Sequence, residues 1–524
     1  MSTVATSASV IDHASDWLNP ILIKETRQSL KSRQFVATFF LMLAASWLIS
    51  VFGVVMEGAG AEYREIGGTF FYGFYIVLAV AIFLVVPYSA FRSLLSERDL
   101  HTWEVLSITT LKPREIVWGK LLSALVQIFI YYSAITPFMA FSKLLKGIDV
   151  PTIALVLTGS LVWAMVLSLV AVTIGTFGNQ RYWQLFLTLA VLIGLLLGLF
   201  VALQAVAARM VFPFEFDSLA FWLSIAVIAT FLGAYCVLLL QIAISQLTFD
   251  ADNRSTGVRL AAAGVFWLAL VWAVVGMTCP GWFGRPAFGA TDLSNFLRWL
   301  GTLAAIHWAA VGLAAATENE RLSRRVRRYL PRFIVLRLLL APLLPGGARG
   351  YVYIIGHMIA MAAFAWVVLY LSGHNDPQTM NYILALCCYV VIYLGLGSAL
   401  SGLARRVFED FRPAHARVMT MLLLACGSML PQLLYFFDRF DSTSLPQYWI
   451  TDPFHTLSAL GAGHADAPFL MRLLAIGTIV ILLINARNIG RGIIEVARPT
   501  VDVACQTPIA VEPGKLPQPA QAET

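Results

Sequence analysis

Charge is what this chain has least of. Asp, Glu, Lys and Arg make up 12% of its 524 residues, about half the ~25% of an ordinary soluble protein. Hydrophobic residues make up 59%, which excludes a string of water-soluble domains. Cysteine is also sparse. Cys236, Cys279, Cys387, Cys388, Cys426 and Cys505 fall mostly in apolar runs with no C-x-x-C pair. They read as small packing residues and not as a disulfide framework. The first residues, MSTVATSASVIDHASDW, lack the basic start and short apolar core of a cleaved signal peptide.

Motifs for chemistry are missing too. No G-x-x-x-x-G-K-[ST] occurs, so no Walker A loop cradles nucleotide phosphates. HExxH, G-x-S-x-G and metal-spaced His/Cys clusters are likewise missing, and the eight histidines are scattered. The expectation is a non-enzyme with no catalytic residues, no metal and no cofactor of its own. The middles of the long apolar runs are almost free of ionisable residues. Each would cost about 2.5–3.5 kcal/mol or more there, so they persist chiefly where ions or protons are handled. Their scarcity speaks against an ion-coupled secondary transporter and places the energy source outside the membrane plane.

Long apolar runs, by contrast, are plentiful. With about 20 residues needed to span a bilayer, twelve candidate spans appear, the first at 36–56 and the last at 467–486. The expected fold is all-α, a polytopic membrane bundle of about twelve helices. Basic residues concentrate in alternate connections: Arg92/Arg98/Lys112/Arg114, Arg181, Arg254/Arg259, Arg321–Arg337, Arg405–Arg417 and Arg487–Arg498. The positive-inside rule then puts both termini in the cytoplasm, in the inner or plasma membrane. The expected organisation is a cytoplasmic start (1–35), a six-span half (36–250), a second six-span half (251–490) and a Pro-rich disordered tail (491–524).

Two polar stretches stand out between these runs. Asn19–Phe35 sets Ile21, Leu22 and Ile23 beside Lys24, Glu25, Arg27, Lys31 and Arg33, the mix of a helix lying in the membrane interface. The other, residues 92–120, carries nine charges among Leu94, Leu95, Val105, Leu106, Ile108 and Leu111. Such a segment either lies on a membrane or presents itself to a soluble partner.

Glu97-Arg98, Thr102, Glu104, Leu106, Pro113, Glu115-Ile116 and Gly119-Lys120 resemble the cytoplasmic loop of type-2 ABC transporter permeases (the ABC-2 family). Asn19-Pro20, Lys24-Glu25, Arg27 and Arg33 resemble that family's amphipathic entry helix, while His101 stands where the family has Gly. The resemblance implies a permease subunit whose loop holds a coupling helix. A separate cytoplasmic ATPase subunit, itself a dimer, would bind ATP and Mg and dock on Glu97, Arg98, Thr102, Glu104, Pro113 and Glu115. Export of an unidentified substrate is what the family implies, with a second permease subunit or a homodimer as further partner. Twelve spans, where the family has about six per subunit, point to two fused halves, the second diverged or added. The rival readings are a non-transporting membrane scaffold or assembly protein and an ion-coupled secondary transporter.

The most basic connection, 318–349, reads either as a topology anchor that holds anionic lipid or as a docking surface for an ATPase or other subunit. Nucleic acid is excluded as a partner, because no aromatic stacking platform accompanies the charge. Gly194 and Gly198 form a G-x-x-x-G for close helix approach within the bundle, and Pro87 and Pro137 are expected kink sites.

Overall fold

A computed structural model describes residues 19–57, 66–99, 112–178, 181–211, 214–249, 251–278, 290–320, 322–374, 376–408, 410–437 and 447–497. Among these every regular element is helical. That is the outcome the composition demands, because a chain in hydrocarbon must satisfy each backbone N–H and C=O internally. In chain order the α-helices are α1 (Pro20–Leu30), α2 (Arg33–Glu57), α3 (Gly67–Val80), α4 (Val86–Asp99), α5 (Pro113–Leu144) and α6 (Val150–Gly175). Then follow α7 (Arg181–Val211), α8 (Leu219–Leu247), α9 (Thr256–Thr278), α10 (Ala290–Ala315), α11 (Arg324–Arg328) and α12 (Ile334–Leu340). The last are α13 (Gly347–Leu371), α14 (Pro377–Val407), α15 (Pro413–Phe437), α16 (Pro453–Ala462) and α17 (Ala467–Ala497). Among the described residues, twelve helical stretches are long and apolar enough to cross a membrane. The protein is a multi-pass helical membrane protein.

Contacts divide the chain into two compact units, Met1–His307 with Met361–Ile383, and Trp308–Ala360 with Leu384–Thr524. In the first unit the core is aromatic and tightly closed: Phe71, Phe74, Leu78, Phe83, Ile128, Tyr131 and Ile135 are essentially inaccessible. Gly198 of α7 belongs to the same unit. A Cβ there would lie 2.9 Å from Leu167 Cδ2, and the Gly198 carbonyl accepts a bond from Trp163 Nε1 at 3.1 Å. Gly198 thus brings α6 and α7 into contact, whereas a Cβ on Gly194 would meet open space, so one glycine of the expected G-x-x-x-G makes the close approach and the other does not. Packing of this kind replaces the hydrophobic drive that is absent inside lipid. In the second unit Trp308 stacks near His357 at 4.2 Å and Tyr353 at 5.5 Å between ring centroids.

The second span is not one regular helix. A π-helical turn, Ala81–Val85, joins α3 to α4. Pro87 explains it: its ring collides with the carbonyl four residues back, at Phe83, and it has no N–H to return. A wider turn relieves both. Pro137, by contrast, lies inside the uninterrupted α5.

Much of the polar stretch 92–120 is helix, since α4 runs to Asp99 and α5 begins at Pro113. Apolar residues such as Leu94, Leu95, Ile116 and Val117 are buried and carry the helices past the apolar windows. Likewise α17 runs to Ala497, so residues 491–497 of the expected disordered tail are helical. Val496 is fully buried there, and Glu495 is paired with Arg327 at 2.6 Å. The rest of that tail lies outside the described residues.

Candidate functional site

Asn19 begins the site. Its Oδ1 accepts from the Ile21 N–H at 3.0 Å, capping α1, while Pro20 fills a first-turn position where a missing N–H costs nothing. Its Nδ2 donates to the Glu115 carbonyl at 2.6 Å. The Glu115 side chain folds back to accept from the Lys112 N–H at 3.0 Å, which steadies the start of α5. One asparagine therefore ties the first turns of α1 and α5 together. Ile21 is seated over Gly119, where a Cβ would come within 2.8 Å of Ile21 Cγ2 and 3.2 Å of Asn19 Nδ2. Only glycine leaves room for α1 to lie this close.

One turn further along, four charges from three helices converge. Lys120 of α5 reaches Glu25 of α1 at 3.0 Å and Glu97 of α4 at 3.1 Å. Its side chain is 1% exposed, against 8% for Glu25 and 10% for Glu97. Lys120 Nζ also donates to Ser93 Oγ at 2.6 Å, and that hydroxyl donates to Glu25 Oε2 at 2.8 Å. The half-exposed Lys24 completes the set, 3.5 Å from Glu97. Two cations and two anions cancel, as a buried cluster requires. Burial works against the charged form of Glu25. The Lys120 ammonium, hydrogen bonds from Lys120 and Ser93, and Lys24 outweigh it, holding the carboxyl below the ordinary glutamate range.

The expected site residues divide accordingly. Glu97 uses its carboxylate inside the protein, Glu115 uses its own at the exposed start of α5, Pro113 is half-buried there, and Glu25 is buried. Lys24, Arg27 and Arg33 are exposed. Arg98 lies within α4, and Thr102 and Glu104 fall outside the described residues, as does the side chain of Arg98. Ser93 and the central role of Lys120 were not anticipated. The available signal was Lys120 itself, a lysine seven positions inside a membrane-length helix, where a charge needs a partner.

A second polar cluster lies in the other unit. Arg349, 1% exposed, meets Glu495 at 3.4 Å and donates to the Glu320 carbonyl at 2.9 Å and the Gly492 carbonyl at 3.1 Å. Glu318 and Glu320 accept from the Gly346 and Ala348 N–H groups at 2.9 and 3.0 Å. Burial raises the Glu320 carboxyl above its ordinary range, only partly offset by the Ala348 N–H, Arg349 and Arg405.

Among the described residues no group of three His, Cys, Asp or Glu side chains could hold a metal. The first cluster ties α1 to both helices that flank residues 100–111. Comparison with family models, curated proteins and solved structures finds no match to this chain.

Proposed function

We propose that this protein is the membrane permease subunit of a type-2 ABC transporter, moving an unidentified substrate by means of ATP hydrolysed on a separate cytoplasmic subunit. The observation that carries this reading is the clamp on Lys120. Residues that resemble the family at its entry helix (Asn19, Glu25) meet residues that resemble it around its loop (Glu97, Glu115, Gly119, Lys120). An element with that anatomy transmits force. A partner pressing on residues 100–111 moves α4 and α5, and Glu25 and Asn19 oblige α1 to follow. Switching between two arrangements of such packed helices is the usual basis of alternating access.

In this reading the clamp faces the cytoplasm, the N-terminus is inside, and the exposed Lys24, Arg27 and Arg33 lie toward anionic headgroups. Export is the direction the family implies. The test is purification of the native complex from its own membrane and identification of its ATP-hydrolysing subunit. A co-purifying ATPase with Walker A and signature motifs, whose loss abolishes transport, supports the proposal. Transport by the chain alone along an ion gradient, or recruitment of soluble proteins without transport, would replace it with one of the rival readings.

A further inference from the structure

The segment between α10 and α13 is folded in an unusual sense. Leu322 and Val326 of its first half, and Ala341 and Leu344 of its second, turn inward onto Val496. Arg337 is buried as well, closing the turn by donating to the carbonyls of Pro331 and of Arg332, the latter at 3.1 Å. Glu495 fastens the start, accepting from the Leu322 N–H at 3.0 Å and Arg327 at 2.6 Å. With its interior filled, the segment still holds large apolar side chains outward: Tyr329 is 90% exposed, Phe333 79%, Val335 75% and Leu339 73%. Arg324, Arg328 and Arg332 are exposed beside them. From 322 to 344 there is no Asp or Glu at all.

We infer that residues 322–344 are an anionic-lipid-binding element that lies in the membrane surface, with Phe333, Val335 and Leu339 among the acyl chains and Arg324, Arg328 and Arg332 against headgroup phosphates. Three observations select a bilayer as the occupant. The chain enters from one membrane-length helix ending at Ala315 and leaves into another starting at Gly347, so the segment is tethered at the bilayer boundary. The apolar helical piece Ile334–Leu343 is far too short to span, yet carries an outward apolar face, the mark of an interfacial helix. The charge is wholly basic and adjoins that face, which complements an anionic leaflet. This inference does not depend on the transporter reading.

The test is hydrogen exchange of the full-length protein in nanodiscs of phosphatidylcholine alone and of phosphatidylcholine with phosphatidylglycerol. Exchange over 333–340 is expected to be at least about tenfold slower in the anionic discs, given three arginines at the surface. Replacing Arg324, Arg328 and Arg332 with Gln should abolish the difference while exchange over 351–371 stays unchanged. Should that variant misfold, the two-lipid comparison of the native protein decides alone. Equal exchange in both discs overturns the inference. So does equal protection by glycerol phosphate in detergent, or protection that appears only with an acidic protein or nucleic acid.

Discussion

Lys120 and Glu25 stand 95 residues apart in the chain and meet at 3.0 Å with both side chains buried. A buried pair of this kind contributes little net stability compared with well-packed apolar residues, but removing one partner strands the other. The clamp is therefore a device for position, and its energetics are most visible when it is half dismantled.

Lys120→Met should be the most damaging single change in the cluster, since it leaves Glu25 and Glu97 facing each other without their shared cation. The expected loss is about 3–5 kcal/mol, read as thermal unfolding of the detergent-solubilised protein. Adding Glu25→Gln and Glu97→Gln to Lys120→Met should recover much of that loss, because the three residues act as one unit. Strictly additive losses would show that they do not interact.

Acid should act on Glu25 and Glu320 with opposite sign. The folded-state value of Glu25 is lowered, so its contribution is fully present above the ordinary 4.5 and lost as pH falls through the folded value. Glu320 is raised, so its contribution is present below 4.5 and lost as pH climbs through the folded value. At pH 7 Glu25→Gln should thus destabilise, while Glu320→Gln, which keeps an acceptor for the Ala348 N–H, should be neutral or stabilising. Melting curves of both variants from pH 7 to pH 4 check this, and matching behaviour would contradict it.

Gly119→Val should lift α1 from α5. Even a single added carbon meets Ile21 at 2.8 Å, and overpacking costs about 1–3 kcal/mol. Hydrogen exchange over residues 20–30 should quicken while the α6 and α7 amides stay protected. Pairing Gly119→Val with Ile21→Ala should restore the slower exchange.

Glu97 and Glu104 should separate the clamp from the docking surface. Glu97→Ala is expected to lower both thermal stability and co-purification of the ATPase, because Glu97 is a partner of Lys120. Glu104→Ala is expected to lower co-purification with melting unchanged. If both variants retain the ATPase with undiminished coupling, the loop has no part in the mechanism.

The twelve spans were readable because hydropathy and helix length are properties of contiguous sequence. Four-residue spacing also picked out Gly194 with Gly198, but which of the two meets α6 was not in the spacing. The Lys120 cluster was not readable, because Ser93, Glu25 and Lys120 become neighbours only once three helices have packed. Glu97 could be named from the sequence, but not that Lys120 takes its carboxylate. Exposure decides whether a carboxylate is offered outward or spent inside, and no local pattern encodes it. The outward face of Phe333, Val335 and Leu339 was not legible either: that connection reads from the sequence by its basic charge, and which of its apolar residues turn inward is settled by packing on Val496.

The wide turn at Ala81–Val85 holds one surplus residue within the second span. If that surplus moved along the helix past Glu97, the residues it crossed, Ser93 and Glu97 among them, would rotate by about 100° and shift by about 1.5 Å. Pro87 pins the surplus where it is. The span therefore has a built-in stop that keeps these two side chains aimed at Lys120.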